Sequence, residues 1–148
     1  MKARTRARSV ALQALYEIDI VDHPAGEVLE ERFNDENPLT EELQEFVRQI
    51  VVGILPLREK LDQVIAHYAP EWPLDQIATI DRNIMRLAAW EMVFQRETPI
   101  KVIINEAVEL AKLYGSDSAP RFINGVLGSL ADHHNELSRV LTLPKKEQ

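Results

Sequence analysis

Apolar residues recur every three or four positions along most of the chain. No segment of any length alternates apolar with polar as a strand does. The stripe Ala7, Ala11, Ala14, Leu15 and Ile18 predicts a helix from about Ala3 to Ile20, buried on one side. His23-Pro24-Ala25-Gly26 breaks it, and a short acidic helix, VLEERF, runs to about Phe33. Asn37-Pro38 breaks the chain again, and Thr40 is a good N-cap for the next helix, which buries Leu43, Phe46, Val47, Ile50 and Val51. Pro56 disfavours a helical Leu55, so the chain kinks or restarts there. LREKLDQVIAHYA then continues to Ala69, with Leu57, Leu61, Val64, Ile65 and Tyr68 inward.

Pro70-Glu71-Trp72-Pro73 is the one extended break near the middle and marks a boundary between two halves. It lacks the glycine and serine of a flexible linker, so two packed subdomains are expected within one domain over residues 1–148. The halves lie at about 1–69 and 74–140. In the second half, DRNIMRLAAWEMVF places Ile84, Leu87, Ala88, Glu91 and Met92 on neighbouring ridges. Thr98-Pro99 reads as an N-cap followed by proline at the first helical position. The helix IKVIINEAVELAKLY then ends at Gly115, a C′ residue. Ser118-Ala119-Pro120 opens one last long helix, RFINGVLGSLADHHNEL. A glycine inside a helix costs about 1 kcal/mol relative to alanine. Gly125 and Gly128 are therefore expected where another backbone or a ligand comes close. The fold expected is all-α, with about seven helices in two small packed subdomains.

Composition narrows the chemistry. The chain has 148 residues, of which 45% are hydrophobic and 28% charged, enough for a core without staples. It has no cysteine, which excludes disulfides, thiolate metal sites and a cysteine nucleophile. No run of about 18 apolar residues is present, and no apolar segment follows the basic start. Neither a membrane span nor a signal peptide is expected, and the expected location is the cytoplasm. Glycine-rich phosphate loops and the GxSxG elbow are absent. His133 and His134 point about 100° apart on a helix and do not converge on one ion, so no metal site is expected. Glu106 and Glu109 lie one turn apart, but an acid–base pair needs a water-excluding pocket that the sequence does not reveal. Glu109 reads as a surface partner of Lys112, and Glu106 as part of helix packing. No catalytic residue and no cofactor is expected.

The net charge of −7 argues at first against a polyanion partner, and its distribution argues the other way. Residues 1–8 hold Lys2, Arg4, Arg6 and Arg8 and no acid; the rest carries 13 basic against 24 acidic residues, or −11. On a helix, Arg4 and Arg8 share a face and Arg6 points nearly opposite. Guanidinium groups pair with phosphates and stack on unpaired bases, which suits RNA. A second candidate surface lies where two late helices meet. Lys112, Tyr114, Gly115 and Ser116 end one, and Ser118, Arg121 and Phe122 begin the next. Two cations, two aromatics and the free N–H groups of a helix N-terminus meet there. Phe122 also sits on an apolar ridge, which fits a core position equally well. Tyr16 lies on the ridge Leu12, Tyr16, Ile20, at the edge of the buried stripe, where an amphipathic ring suits a protein interface.

ALQALYEID near the start, DRNIMRLAAWEM in the middle, then P-IKVIINEAVELAK-YG and RFINGVL resemble the NusB family of transcription antitermination factors. The resemblance covers essentially the whole chain in the right order. It implies two small helical bundles and binding to the boxA element of nascent ribosomal RNA transcripts. The partner it implies is NusE, also a small-subunit ribosomal protein, with other Nus factors and RNA polymerase reached through the complex. It assigns RNA contacts to Arg4, Arg6 and Arg8, and with them Lys112, Tyr114, Arg121 and Phe122. It assigns the NusE face to Tyr16, Asp75 and Asp81, an acidic surface that suits a basic partner. Members of the family occur as monomers and as homodimers. Thr5 and Ala7 interrupt a basic run that is denser in many members, which implies weaker RNA binding without the partner. Gly128 stands where many members have an acid. Two competing readings remain at this point. A similar helical domain precedes a catalytic domain in certain ribosomal RNA cytosine methyltransferases, whose catalytic cysteine this chain lacks. A purely structural helical adaptor would show no salt-dependent RNA binding.

Overall fold

A computed structural model of the chain describes residues 2–69 and 76–144. The helices are α1 (Ala3–Val21), α2 (Ala25–Phe33), α3 (Glu41–Ile54), α4 (Arg58–His67), α5 (Thr79–Phe94), α6 (Ile100–Tyr114), α7 (Ala119–Asp132) and α8 (His134–Thr142). A short 3-10 turn, Leu55–Leu57, joins α3 to α4, so the chain restarts at Pro56 as expected, but Leu55 itself keeps helical angles (φ −51°, ψ −49°) despite the proline that follows it. There is no strand among the described residues. The break at Pro70 to Pro73 lies outside them.

Local chemistry sets most of the boundaries. Thr40 Oγ1 accepts from the Leu43 amide at 3.3 Å and caps α3. Asp22, in the left-handed region at φ 56°, turns the chain out of α1. Helix α2 starts earlier than expected, because Pro24 is its N-cap and Ala25 and Gly26 continue into it. Pro99 likewise stands at the N-cap of α6, with Ile100 the first helical residue. The last long helix is in fact two, broken at His133, whose φ of −117° and ψ of 36° leave the helical region. Both histidines are used there. His133 Nδ1 lies 2.8 Å from the Ser129 carbonyl and His134 Nε2 lies 2.8 Å from the Met92 carbonyl.

Helix α5 is the centre of the packing. It touches α1, α3, α4, α6, α7 and α8, and Asn83 to Val93 are all buried. The apolar side chains of both halves merge into one continuous core. Two glycines allow this close approach, and they are not the two expected. Gly125 and Gly128 have open space where a side chain would stand. A Cβ on Gly53 would instead lie 2.5 Å from the Trp90 ring, so α3 can press against α5 only because that position is glycine. Gly115 is the second. It has an ordinary extended φ of −92°, and its constraint is space, since a Cβ would lie 2.7 Å from the Ala119 Cβ and 2.8 Å from Asp81 Oδ1.

Buried charges tie three elements together at one end of α5. Arg86 donates to both carboxylate oxygens of Asp62 on α4, at 2.7 and 2.6 Å, and to Asp19 on α1 at 2.7 Å. Asn83 and Arg58 complete the shell around Asp19, at 3.0 and 2.9 Å. Burial pushes the Asp19 carboxyl up. The hydrogen bonds from Asn83 and Arg58, with the Arg86 charge, outweigh burial and hold it below the usual carboxylate range. Its contribution to stability is therefore complete above pH 3.8 and is lost as pH falls through the lower folded value.

The Gly53–Trp90 contact yields a direct test. Gly53→Ala is expected to destabilise the protein by about 1–3 kcal/mol, the cost of overpacking a rigid contact, despite alanine's better helix propensity. Urea unfolding monitored by tryptophan fluorescence measures it.

Candidate nucleic-acid and partner interface

The first turns of α1 present their arginines in two directions, as helical geometry requires. Arg4 and Arg8 share a face, and both guanidinium groups lie over the Phe46 ring of α3, at 4.8 and 5.4 Å from its centroid. Arg6 points the other way and donates to the Asn37 carbonyl in the loop between α2 and α3. Arg8 is turned inward. It is 2% exposed and pairs with Glu91 of α5 through two parallel bonds of 2.9 Å, with Glu106 Oε2 3.9 Å from its third nitrogen. Such a pair is held by its own low-dielectric surroundings, since withdrawing either partner would strand a buried charge. Among the three arginines expected at an RNA surface, Arg4 is exposed, Arg6 is half-buried and Arg8 is an internal anchor.

The junction of α6 and α7 lies against this same end of α1. The Tyr114 hydroxyl bonds to Ser9 and accepts from Gln13 at 3.0 Å, both on α1. Gln13 is oriented in turn by Arg32 of α2 at 2.8 Å. Thr5 donates to Glu106 of α6 at 3.1 Å. Helix α6 and its end at Tyr114 thus pack along the helix that carries Arg4 and Arg6. Lys112 and Arg121 are exposed there. Lys112 makes the surface pair with Glu109 at 3.1 Å, and two exposed charges of this kind contribute little to stability. Phe122 resolves both ways, being packed on the core and also lining a surface cavity.

Tyr16 is 40% exposed, and Ile20 and Val21 follow it on the outside of α1, a small apolar patch at that end of the helix. Asp75 lies outside the described residues. Asp81 differs from the exposed acid that a partner face calls for. It is 8% exposed, sits in the first turn of α5 beneath the turn at Gly115, and its Oδ1 has no hydrogen-bond partner among the described residues. Burial pushes its carboxyl up from the usual carboxylate range. The supporting residues Ser9, Gln13, Phe46 and Glu91 carry weak signals in sequence. Glu91 alone is marked, as an acid within the apolar run LAAWEMVF.

Among the described residues no helix is long and apolar enough to cross a membrane. The chain is similar to curated proteins over most of its length. It is 46% identical to the transcription antitermination protein NusB of Dehalococcoides mccartyi over 138 residues, spanning 90% of this chain and 96% of the relative. It is 43% identical to that of Bacillus subtilis over 130 residues, spanning 88% and 95%. Among solved structures, T. maritima NusB superimposes with a TM-score of 0.81 at 34% identity, covering 90% of this chain and 95% of that one. A NusB in complex with NusE and double-stranded RNA superimposes with a TM-score of 0.80 at 26% identity, covering 90% and 98%. The NusB family pattern matches residues 5–132, and with relatives this similar over nearly their whole length, this chain belongs to the NusB family.

Proposed function

We propose that the protein is a transcription antitermination factor that binds boxA RNA of nascent ribosomal transcripts together with NusE. In this reading it works in the cytoplasm, within a complex of other Nus factors on RNA polymerase, and catalyses no reaction. The RNA surface consists of Arg4, Arg6, Lys112, Tyr114, Arg121 and the exposed edge of Phe122, with Arg8 holding the end of α1 in place. The partner surface is centred on Tyr16. Residues 1–148 act as one domain with halves at about 1–69 and 74–140, a reading supported by their continuous core.

One observation supports this proposal: the Tyr114 hydroxyl bonds to α1 at Ser9 and Gln13, which packs the end of α6 against the helix that carries Arg4 and Arg6. Cations spread over two elements and flanked by aromatic rings can follow a single-stranded backbone and stack its bases. An acidic body beyond that face disfavours indiscriminate binding and suits a strongly basic partner.

Titration of boxA RNA across salt concentrations, with and without NusE, tests it. Affinity is expected to rise when NusE is present and to fall linearly with log salt. Arg4→Ala with Arg6→Ala should flatten that slope by about 1.4, near 0.7 for each phosphate of a single strand that is no longer neutralised. An unchanged slope removes the N-terminal turn from the RNA site. Tyr16→Asp should weaken NusE binding at least tenfold while leaving thermal unfolding almost intact. Loss of the fold instead would place Tyr16 in the core.

A further inference from the structure

The end of the molecule where α1 begins carries an aromatic ring that the core uses only in part. Phe94, the last residue of α5, is 41% exposed. Its ring packs on Trp90, one turn back, with centroids 5.4 Å apart and planes tilted by 31°. Trp90 is buried and is fixed in turn by α3, because Gly53 leaves no space between the two helices. One exposed apolar side chain is ordinary on a protein surface. Phe94 differs in being a flat ring supported from below, which has little side-chain freedom left to lose when another ring stacks on it.

Its position relative to the basic turn follows from the helix pairing. Arg8 meets Glu91, and Asp19 meets Asn83 and Arg86, so α1 and α5 run antiparallel. Arg4 comes one turn before Arg8, and Phe94 comes one turn after Glu91. Arg4 and Phe94 therefore stand at the same end of the helix pair. Helix α3 lines the same seam, with Phe46 under Arg4 and Arg8 and Gly53 under Trp90, two turns apart on one face. Arg4 is exposed, and its guanidinium is already oriented over the Phe46 ring. Arg96, in the turn that follows α5, is exposed as well. This site lies on a different face of α1 from the one that meets Tyr114.

A fixed aromatic ring beside a cation is the arrangement that holds a single-stranded nucleic acid, the ring taking a base and the cation its phosphate. We propose that Phe94 stacks one unpaired base of the bound RNA while Arg4 pairs with the adjoining phosphate, so that the RNA track continues from the first turn of α1 onto the end of α5. The surroundings favour a base over a protein surface. Gln95 and Arg96 follow the ring in the chain, and the exposed Gln49 stands between Phe46 and Gly53 on α3. Val52 is the exposed apolar side chain that α3 adds, and two such side chains fall far short of the roughly 800 Å² that each partner gives to a standard protein interface. Every base has a face to stack, so Phe94 contributes affinity and no base preference. The inference rests on the RNA-binding reading above.

A double-mutant cycle in the full-length chain, with and without NusE, tests it. Phe94→Leu keeps an apolar side chain on Trp90 and removes the ring; Phe94→Met replaces it in the cycle if the leucine variant does not fold. The other arm is a series of boxA RNAs with a few flanking nucleotides, each lacking a different single base. Phe94→Leu should weaken binding of the intact RNA roughly tenfold, within the range for one lost stacked base, and leave the salt slope unchanged because no phosphate contact is removed. Phe94→Tyr, which keeps a ring, should bind as the wild type does. One abasic position should weaken wild-type binding to a similar degree and have no further effect in Phe94→Leu, which identifies the stacked base. Equal affinity of wild type and Phe94→Leu for the intact RNA overturns the inference. So does a loss that adds fully to that of every abasic position, or an equal loss in Phe94→Tyr. Weakened NusE binding or self-association in Phe94→Leu with RNA affinity unchanged also overturns it, and assigns the ring to a protein contact. Absence of salt-dependent RNA binding by the wild type would instead reject the RNA-binding reading itself.

Discussion

Helix α5 is buried on nearly every side and yet carries Asn83, Arg86 and Glu91, and the position of α1 depends on how those groups are satisfied. Arg86 gathers Asp19 of α1 and Asp62 of α4 at one end, and Glu91 takes Arg8 of α1 further along. A hydrophobic stripe fixes which face of α1 is buried but allows it to slide or rotate slightly at small cost. Hydrogen-bonded charge pairs resist such movement, the buried bidentate Arg8–Glu91 pair most of all, because misregistration strands a charge. The two anchors therefore set the register of α1 on the core. The position of its basic first turn follows from that register.

That register accounts for the functional geometry. With Arg8 held by Glu91, Arg4 lies across Phe46 at the surface, and Ser9 and Gln13 face Tyr114 at the end of α6. Only part of the N-terminal charge is then free for a polyanion. On the proposed reading, a surface with few free cations relies on neighbouring aromatic rings and on a protein partner for affinity and selectivity. The surplus of acid elsewhere on the chain is consistent with that division of labour.

The sequence made the helices legible because the signals are local. Apolar spacing, the Thr40 cap and Pro56 each act within a few residues. Tyr16 at the edge of its stripe was legible for the same reason. Two kinds of feature were not. Helix ends shifted where proline served as N-cap rather than first residue, and the α7–α8 break at His133 has no proline or glycine to announce it. Long-range pairing was hidden entirely. Arg8 stands three and four residues before Ala11 and Leu12, on the buried side of its helix, but nothing local names Glu91, 83 residues away, as the group that pairs with it there. The glycines teach the same lesson: Gly125 and Gly128 look exceptional and face open space, whereas Gly53 is fixed by Trp90 across the core.

The most direct test of this account replaces the anchor as a pair, Arg8→Met together with Glu91→Met, and measures the salt dependence of RNA binding. An apolar replacement of a whole buried pair is commonly neutral or stabilising, so the fold should be retained. If Arg8 is an anchor, affinity itself will fall as the first turn loses its fixed register, while the slope of log affinity against log salt matches the wild type, because no phosphate contact is removed and Asp19–Arg86 still ties α1 to α5. A slope shallower by about 0.7, the signature of one phosphate no longer neutralised, would show that Arg8 reaches the RNA and would contradict the account.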